Sequence, residues 1–467
     1  MAIDAFQARG GRPAPARVVI VGGGAAGVLV AAHLMRRATP DSPVEVRVVE
    51  RTDTVGPGLA YGAADPHHLM NNTATRLSAF PDDPDHLLRW CAEHGIGTDR
   101  GAFLPRRTYG RYLAALITEL PETPWRRLIR VRGEAVRIDA GDEHGTAGVV
   151  QLSCGWTQPA DSVVLALGNP PPSPREGVAG VFAGTRYVAD PWLFGALDDI
   201  SGSDRVLLVG TGLTMVDVAV SLARRHPGIR MVATSRHGLL PRVHARQPAP
   251  VGAGLADAPH TLRGLLSVFR EQLGQARSAE HDWQGLVDGV REQVADLWRG
   301  LSDADRERFL RHVARRWEVH RHRMAPSVHD ELTDLLDCGR LTVHPGVPPG
   351  LASFTRVVNC TGPQPVSAPG WSALVDGLLT EGRARPDAVG LGLDVDPHGR
   401  VVRGDGSPSS WLYAVGLARR GTLYETTAIP ELREQAGALA SRLLGEAAGT
   451  AGTAGAARAT GAQRAVS

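Results

Sequence analysis

Two glycine-rich turns carry the chemistry most directly legible in this chain. Gly22-Gly23-Gly24-Ala25-Ala26-Gly27 follows the apolar run Arg17-Val18-Val19-Ile20-Val21, and Gly210-Thr211-Gly212-Leu213-Thr214-Met215 follows Arg205-Val206-Leu207-Leu208-Val209. A turn of this spacing, between a buried strand and a helix, sets backbone N–H groups and a helix N-terminus against a pyrophosphate. In the first turn Gly22 permits the tight bend, Gly24 and the small Ala26 admit the phosphates, and Gly27 lets the helix lie close to the strand. The next apolar run, Val44 to Glu50, ends in a carboxylate suited to a ribose hydroxyl, with Arg51 beside it. These residues predict the adenosine end of FAD. In the second turn Gly210, Gly212, Leu213 and Thr214 are the expected contacts, while Met215 stands where the third glycine belongs and predicts looser helix–strand packing. Its following strand ends in Ser235-Arg236-His237, and a hydroxyl with a guanidinium suits a 2′-phosphate that a carboxylate would repel. The second nucleotide is therefore expected to be NADPH, the alternative being a degenerate unit kept for its fold.

Other residues could complete a flavin site. Val55 to Gly62 reads as an irregular glycine-rich loop that brings Gly58 and Leu59 beside a planar ring. Asn72, within His67 to Thr73, offers an amide to the ring edge, although a polar surface turn accounts for the same residues. Arg106 or Arg107, opening a helix, could reach phosphates or face water. Two similar strands exit through Gly168 and Gly362, where the chain is expected to pass between nucleotide domains. Near the end, Gly416 closes a strand, and Thr426, Thr427 and Glu431 surround a helix start at Pro430 whose positive end could stabilise charge on a reduced ring.

These elements imply an α/β chain with two Rossmann-like dinucleotide-binding domains, for FAD and NAD(P), and a helical insertion. The expected division is a disordered N-terminus at 1–16, a first FAD-domain part at 17–200, an NAD(P) domain at 201–362 with a helical insertion at 240–336, a second FAD-domain part at 363–445, and a disordered Ala/Gly/Thr-rich tail at 446–467. Within the insertion, Thr261 to Gln275, Asp282 to Leu301 and Asp303 to His322 carry helical periodicity. The run Arg315 to Arg323 reads as a solvated basic face or, less readily, a substrate contact. His320 and His322 diverge on a helix, so no metal site is expected.

The 467 residues include 51 basic and 49 acidic ones, a balance that excludes a broad nucleic-acid footprint. The four cysteines are scattered without a CxxC pair, which argues against a disulfide relay, and each is expected to be a small buried residue. No run is long and apolar enough to span a membrane, and the N-terminus lacks a signal-peptide core, so a cytoplasmic location is expected.

GGGAAG, VGPGLAYG, FLPRRTYGRYL, GTGLTMVD, SRHGLLPR, WEVHRHRMAP, VNCTGP and LYETTAIPELREQA together resemble the bacterial FAD/NAD(P)-binding protein family, over Arg17 to about Gly445. More distantly the layout is similar to class B flavin monooxygenases, which place FxGxxxHxxxW before their second glycine turn. Here Phe182, Gly184 and Trp192 match, but Val188 replaces the histidine. Leu417 also follows Gly416 where many FAD enzymes carry an acid. The resemblance implies an FAD-dependent, NADPH-driven monooxygenase acting on a small molecule through a flavin C4a-hydroperoxide. The alternatives are an FAD oxidase or dehydrogenase of an amine or alcohol with a vestigial NAD(P) domain, and a nucleotide-binding protein without turnover. No side chain is assigned as catalytic acid or base, and oligomeric state is not specified.

Overall fold

The computed structural model describes residues 13–464 apart from 63–64, 142–145, 174–185, 246–253, 256 and 279–282; side chains from 447 onward are also outside the description. The expected disorder of 1–16 thus falls mainly, and Phe182 and Gly184 entirely, outside the described residues.

A six-stranded sheet runs in the order β13 (Arg400–Val402), β14 (Pro408–Ala414), β7 (Ser162–Leu165), β1 (Ala16–Val21), β2 (Val44–Glu50), β3 (Arg126–Arg132). All neighbours are parallel except β13 on β14. Strand periodicity divides its side chains between two cores. Val18, Ile20, Val46 and Val48 face α1 (Ala25–Arg37), α4 (Arg106–Thr118) and α14 (Ile429–Arg464), whereas Val19, Val21, Val49 and Leu165 face the meander of β4 (Ala135–Ala140), β5 (Gly148–Leu152) and β6 (Thr157–Ala160). Burial on both faces is why these strands read as continuous apolar runs.

The second sheet, all parallel, has the order β11 (Leu341–Pro345), β10 (Arg230–Ser235), β9 (Arg205–Val209), β12 (Arg356–Asn359), β8 (Tyr187–Val188). β9 sits between β10 and β12 as β1 sits between β2 and β7. β8 belongs to this sheet although it precedes position 201, because Tyr187 and Val188 pair with Val357 and Val358.

Several elements differ from expectation. The glycine-rich segment forms a short helix, α2 (Gly58–Gly62), anchored where Tyr61 meets Tyr109 of α4 edge-on at 5.2 Å. The insertion contains α6 (Leu262–Ser278), α7 (Trp283–Arg291), α8 (Val294–Gly300), α9 (Asp303–His312), α10 (Ala314–Arg321) and α11 (Pro326–Asp337), so two expected helices are each broken in two. α7 ends on Arg291, which turns to pair with Glu431, a tertiary interaction that periodicity does not reveal. α14 continues to Arg464, through the stretch expected to be a disordered tail, in keeping with alanine's helix propensity. Cys91 and Cys360 are buried as expected, whereas Cys154 and Cys338 are exposed, since one lies in a hairpin turn and the other caps α11. Among the described residues, no helix is long and apolar enough to cross a membrane and no acid, histidine and cysteine cluster could hold a metal.

Candidate active site at the junction of two dinucleotide turns

The two turns have the same backbone. Gly22 has φ +107°, and a Cβ there would lie 2.2 Å from the Ala166 carbonyl oxygen; Gly210 has φ +118°, and a Cβ would lie 2.3 Å from that of Cys360. Each must be glycine on two counts, conformation and space. Gly24 and Gly212 precede α1 and α5 (Leu213–Arg225) in extended conformation, and no side chain caps either helix. The first N–H groups of both helices are thereby left for a phosphate.

The third position distinguishes the turns. A Cβ on Gly27 would lie 1.9 Å from the Gly22 carbonyl oxygen, so this helix rests directly on the turn. At the second turn Met215 is 0 % exposed and joins the core with Leu208 and Val358. A side chain thus fills the place where Gly27 lets α1 rest directly on its turn. The unbranched methionine side chain is absorbed by the core, while Met215 and Val216 both donate to the Gly212 carbonyl at 3.0 and 3.2 Å, tightening the first turn.

On the FAD side, Glu50 accepts from Gly23 N at 2.9 Å and from Thr52 N and Oγ1 at 3.0 Å, bracing the glycine turn while remaining partly accessible. Arg51 is exposed beside it. Gly58 packs on Gly24, with Leu59 next to it at the turn. Asn72 is only 7 % exposed, yet its carboxamide has no hydrogen-bond partner among the described residues. The amide is not among the fully buried unpaired groups and so stays accessible to a ligand edge. Gly416, with φ +73°, meets Ala26 of α1 and Leu432 of α14. Gln435 holds this corner: it accepts from Gly416 N at 3.1 Å and donates to Thr426 O and Oγ1 at 3.0 and 2.9 Å, while Thr426 Oγ1 donates to Gly416 O. Gln435 was missed from sequence because a helical glutamine gives no signal of a tertiary role.

A cleft of about 720 Å³ joins the second turn to this corner. Gly210, Gly212, Leu213, Thr214, Ser235, Arg236 and Gly362 line one part of it, and Thr427 and Ala428, before α14, line another. Cβ atoms at Gly168 and Gly362, at the two strand exits, would meet nothing within 4 Å. Ser235 Oγ is engaged with Thr211 Oγ1 at 2.8 Å and Gly238 N at 3.1 Å, so the hydroxyl shapes the turn. Arg236 is exposed with no partner among the described residues, free to meet a 2′-phosphate. Arg236→Ala should raise KM for NADPH about tenfold and leave KM for NADH unchanged in steady-state assays.

Three expected roles are corrected. Arg106 does not point to phosphate: it forms an ion pair at 2.7 Å with Asp217 of α5 and donates to Leu69 O at 3.2 Å, because α4 lies against the second domain. His68 joins the same seam through Ser221 Oγ at 2.8 Å, and Trp192 meets His68 and Arg106 at ring-centroid distances of 5.8 and 5.6 Å. Arg107 is exposed. The run Arg315 to Arg323 is not simply a solvated face, since Arg321 and Arg323 are 5 % and 2 % exposed. Arg321 pairs with Glu425 at 2.7 Å, Arg323 pairs with Asp288, and Trp317 Nε1 donates to Glu425 at 2.8 Å. Glu431 is taken up by Arg291 at 2.5 Å and Arg321 at 3.4 Å, which clamps the insertion onto α14. Burial opposes the Glu431 charge, but these arginines outweigh it and hold the carboxyl below its usual 4.5.

Three histidines are pushed down to about 4, foremost by burial and then by the charges of Arg37 on His33, Arg323 on His244 and Arg321 on His322. On unfolding they recover a value near 6.5 and bind protons that the native state refuses. Their contribution is complete above pH 6.5 and is lost as pH falls toward 4. Calorimetry across that window should show a steadily falling Tm.

Residues 19–170 match a family model described as FAD-NAD(P)-binding. A sequence search among curated proteins finds no match. Among solved structures, an ornithine N-hydroxylase from Kutzneria sp. 744 superposes with TM-score 0.61 at 16% identity, covering 92% of this chain and 99% of its own. L-lysine 6-monooxygenase from Pseudomonas syringae gives 0.61 at 16% identity, with 91% and 98% covered. A cadaverine monooxygenase from Erwinia amylovora gives 0.58 at 14% identity, with 92% and 95% covered. At these identities the likeness is one of fold. Residues 19–170 form an FAD/NAD(P)-binding domain, within a chain that has the α/β two-nucleotide architecture seen in N-hydroxylating flavin monooxygenases.

Proposed function

We propose that the protein is an FAD-dependent, NADPH-driven monooxygenase of a small molecule. The observation that carries this reading is the single cleft that runs from the second glycine turn and Arg236 to Thr427 and Ala428 at the FAD domain's last helix. A dinucleotide lying along it would bring its nicotinamide to the place where the FAD domain closes.

The residues fit both cofactors. Gly22, Gly24, Ala26 and Gly27 would hold the FAD pyrophosphate at α1, with Glu50 toward the ribose, Asn72 toward the ring edge, and Gly416 admitting the chain beside it. Gly210, Gly212 and Thr214 would hold the NADPH pyrophosphate, with Arg236 on its 2′-phosphate. When bound, FAD accepts hydride from NADPH and activates oxygen, so that NADPH, a proton, O2 and substrate yield NADP⁺, water and oxygenated substrate. The Gln435–Thr426–Gly416 hydrogen bonds fix the corner against α14, whose N-terminal end favours negative charge on a reduced ring. His322 lines the cleft and stays neutral near pH 7, so it adds no cation there. The resemblance of fold to an ornithine N-hydroxylase and to lysine and cadaverine monooxygenases supports the reading, as does the intact geometry of the second turn. Four free cysteines and dependence on NADPH fit a cytoplasmic setting.

Anaerobic addition of NADPH to the FAD-loaded protein, followed by absorbance, tests it. Rapid bleaching followed by oxygen-dependent reoxidation is the expected result. A flavin that NADPH leaves oxidised, but that an amine or alcohol reduces, would select the dehydrogenase instead.

A further inference from the structure

The helical insertion lines a second, larger cavity of about 1210 Å³, partly open to solvent. Its volume is at or above the upper end of the usual range for small-molecule pockets. Its walls are chiefly apolar, with Phe269, Leu273, Trp283, Val287, Trp298 and Trp317 among them. Among the described lining residues there is no aspartate or glutamate. The charged residues that line it are Arg242, Arg270 and Arg316, all exposed and with no side-chain partner among the described residues. Free ornithine or lysine carries an ammonium that would find no counter-ion here, and a chain too short to displace the water from such walls.

The cavity also borders the nucleotide cleft. Leu239, Pro241, Val319 and Tyr424 line both. Tyr424, in the partition, is the one non-glycine residue at positive φ among those described, at φ +51° and ψ −61°. It is held there by Trp298 and Phe309, at ring-centroid distances of 4.8 and 5.1 Å. Surroundings that over-determine a strained residue are a recurrent feature of ligand sites.

We propose that this chamber takes a lipophilic molecule with an anionic group: its apolar body lies among the aromatic and aliphatic walls, its anion meets the arginine rim, and its far end reaches past Tyr424 into the cleft. Calling that molecule the substrate rests on the monooxygenase reading; its binding does not.

The test uses the FAD-loaded full-length protein with 8-anilinonaphthalene-1-sulfonate as fluorescent probe, displaced by dodecanoate, dodecylamine or lysine. Dodecanoate should displace the probe at least about tenfold more effectively than dodecylamine, and lysine should not displace it. R270E/R316E, which changes only exposed side chains, should reverse the preference between the two dodecyl compounds. V287W, which fills the chamber, should abolish probe binding while flavin content and NADPH-driven bleaching stay unchanged. Absent probe binding, equal displacement by the two dodecyl compounds, or indifference to R270E/R316E would overturn the proposal. Flavin bleaching is read separately, so failure of the redox reading and failure of the binding site are distinguishable.

Discussion

Gly27→Ala is expected to yield a folded protein that retains almost no FAD. The added methyl would sit 1.9 Å from the Gly22 carbonyl oxygen and 3.2 Å from Ile20 Cγ2, so α1 has to move away from β1. Overpacking of this kind costs about 1–3 kcal/mol. The same displacement draws the α1 N–H groups away from the pyrophosphate, so FAD affinity should fall by about a hundredfold or more, since each ~1.4 kcal/mol is tenfold. Flavin absorbance per mole of protein, with circular dichroism to establish folding, reads the result. Gly212→Ala, in the second turn, is the comparison. Gly212 has φ −85°, and a Cβ there meets nothing within 4 Å, so this variant should fold and keep its flavin. Its methyl should hinder only the second nucleotide, raising KM for NADPH by about tenfold. Full flavin content with unaltered affinity in Gly27→Ala would remove the first turn from the FAD site.

Arg106→Ala is expected to cost about 3–5 kcal/mol of stability, the usual result of leaving one partner of a buried ion pair alone. The side chains of Arg106 and Asp217 are 17% and 9% exposed, and they join α4, packed on the first sheet, to α5, which follows the second glycine turn. Loss of the pair should also slow flavin reduction by NADPH, because the same seam sets one nucleotide against the other. Arg106→Ala/Asp217→Asn should recover most of the lost stability by removing the stranded charge, and chemical denaturation of the four proteins in the cycle gives the coupling directly. An effect below about 0.5 kcal/mol in Arg106→Ala would mean that the pair behaves like an exposed one.

The glycine turns were legible because their requirements are local. Gly22 and Gly210 need positive φ and bare space, and strands buried on both faces announce themselves as apolar runs. The segment Gly58 to Gly62 was misjudged because glycine content signals loop, whereas Tyr61 docking on α4 stabilises a helical turn. The same blindness affected Arg321 and Arg323. A dense run of arginines has the composition of a solvated face, and only the folded chain places Glu425, Glu431 and Asp288 against it.

The sequence by itself determined the two strand–glycine-turn–helix units and their order, since backbone conformation and hydrophobic periodicity depend on neighbours a few positions away. Tertiary structure alone decided what lies between them: the Arg106–Asp217 seam, the Gln435 corner, the absorption of Met215 into the core and the chamber of the insertion. Those features depend on contacts between residues far apart in the chain, and charge or amide chemistry at one position carries no record of its distant partner.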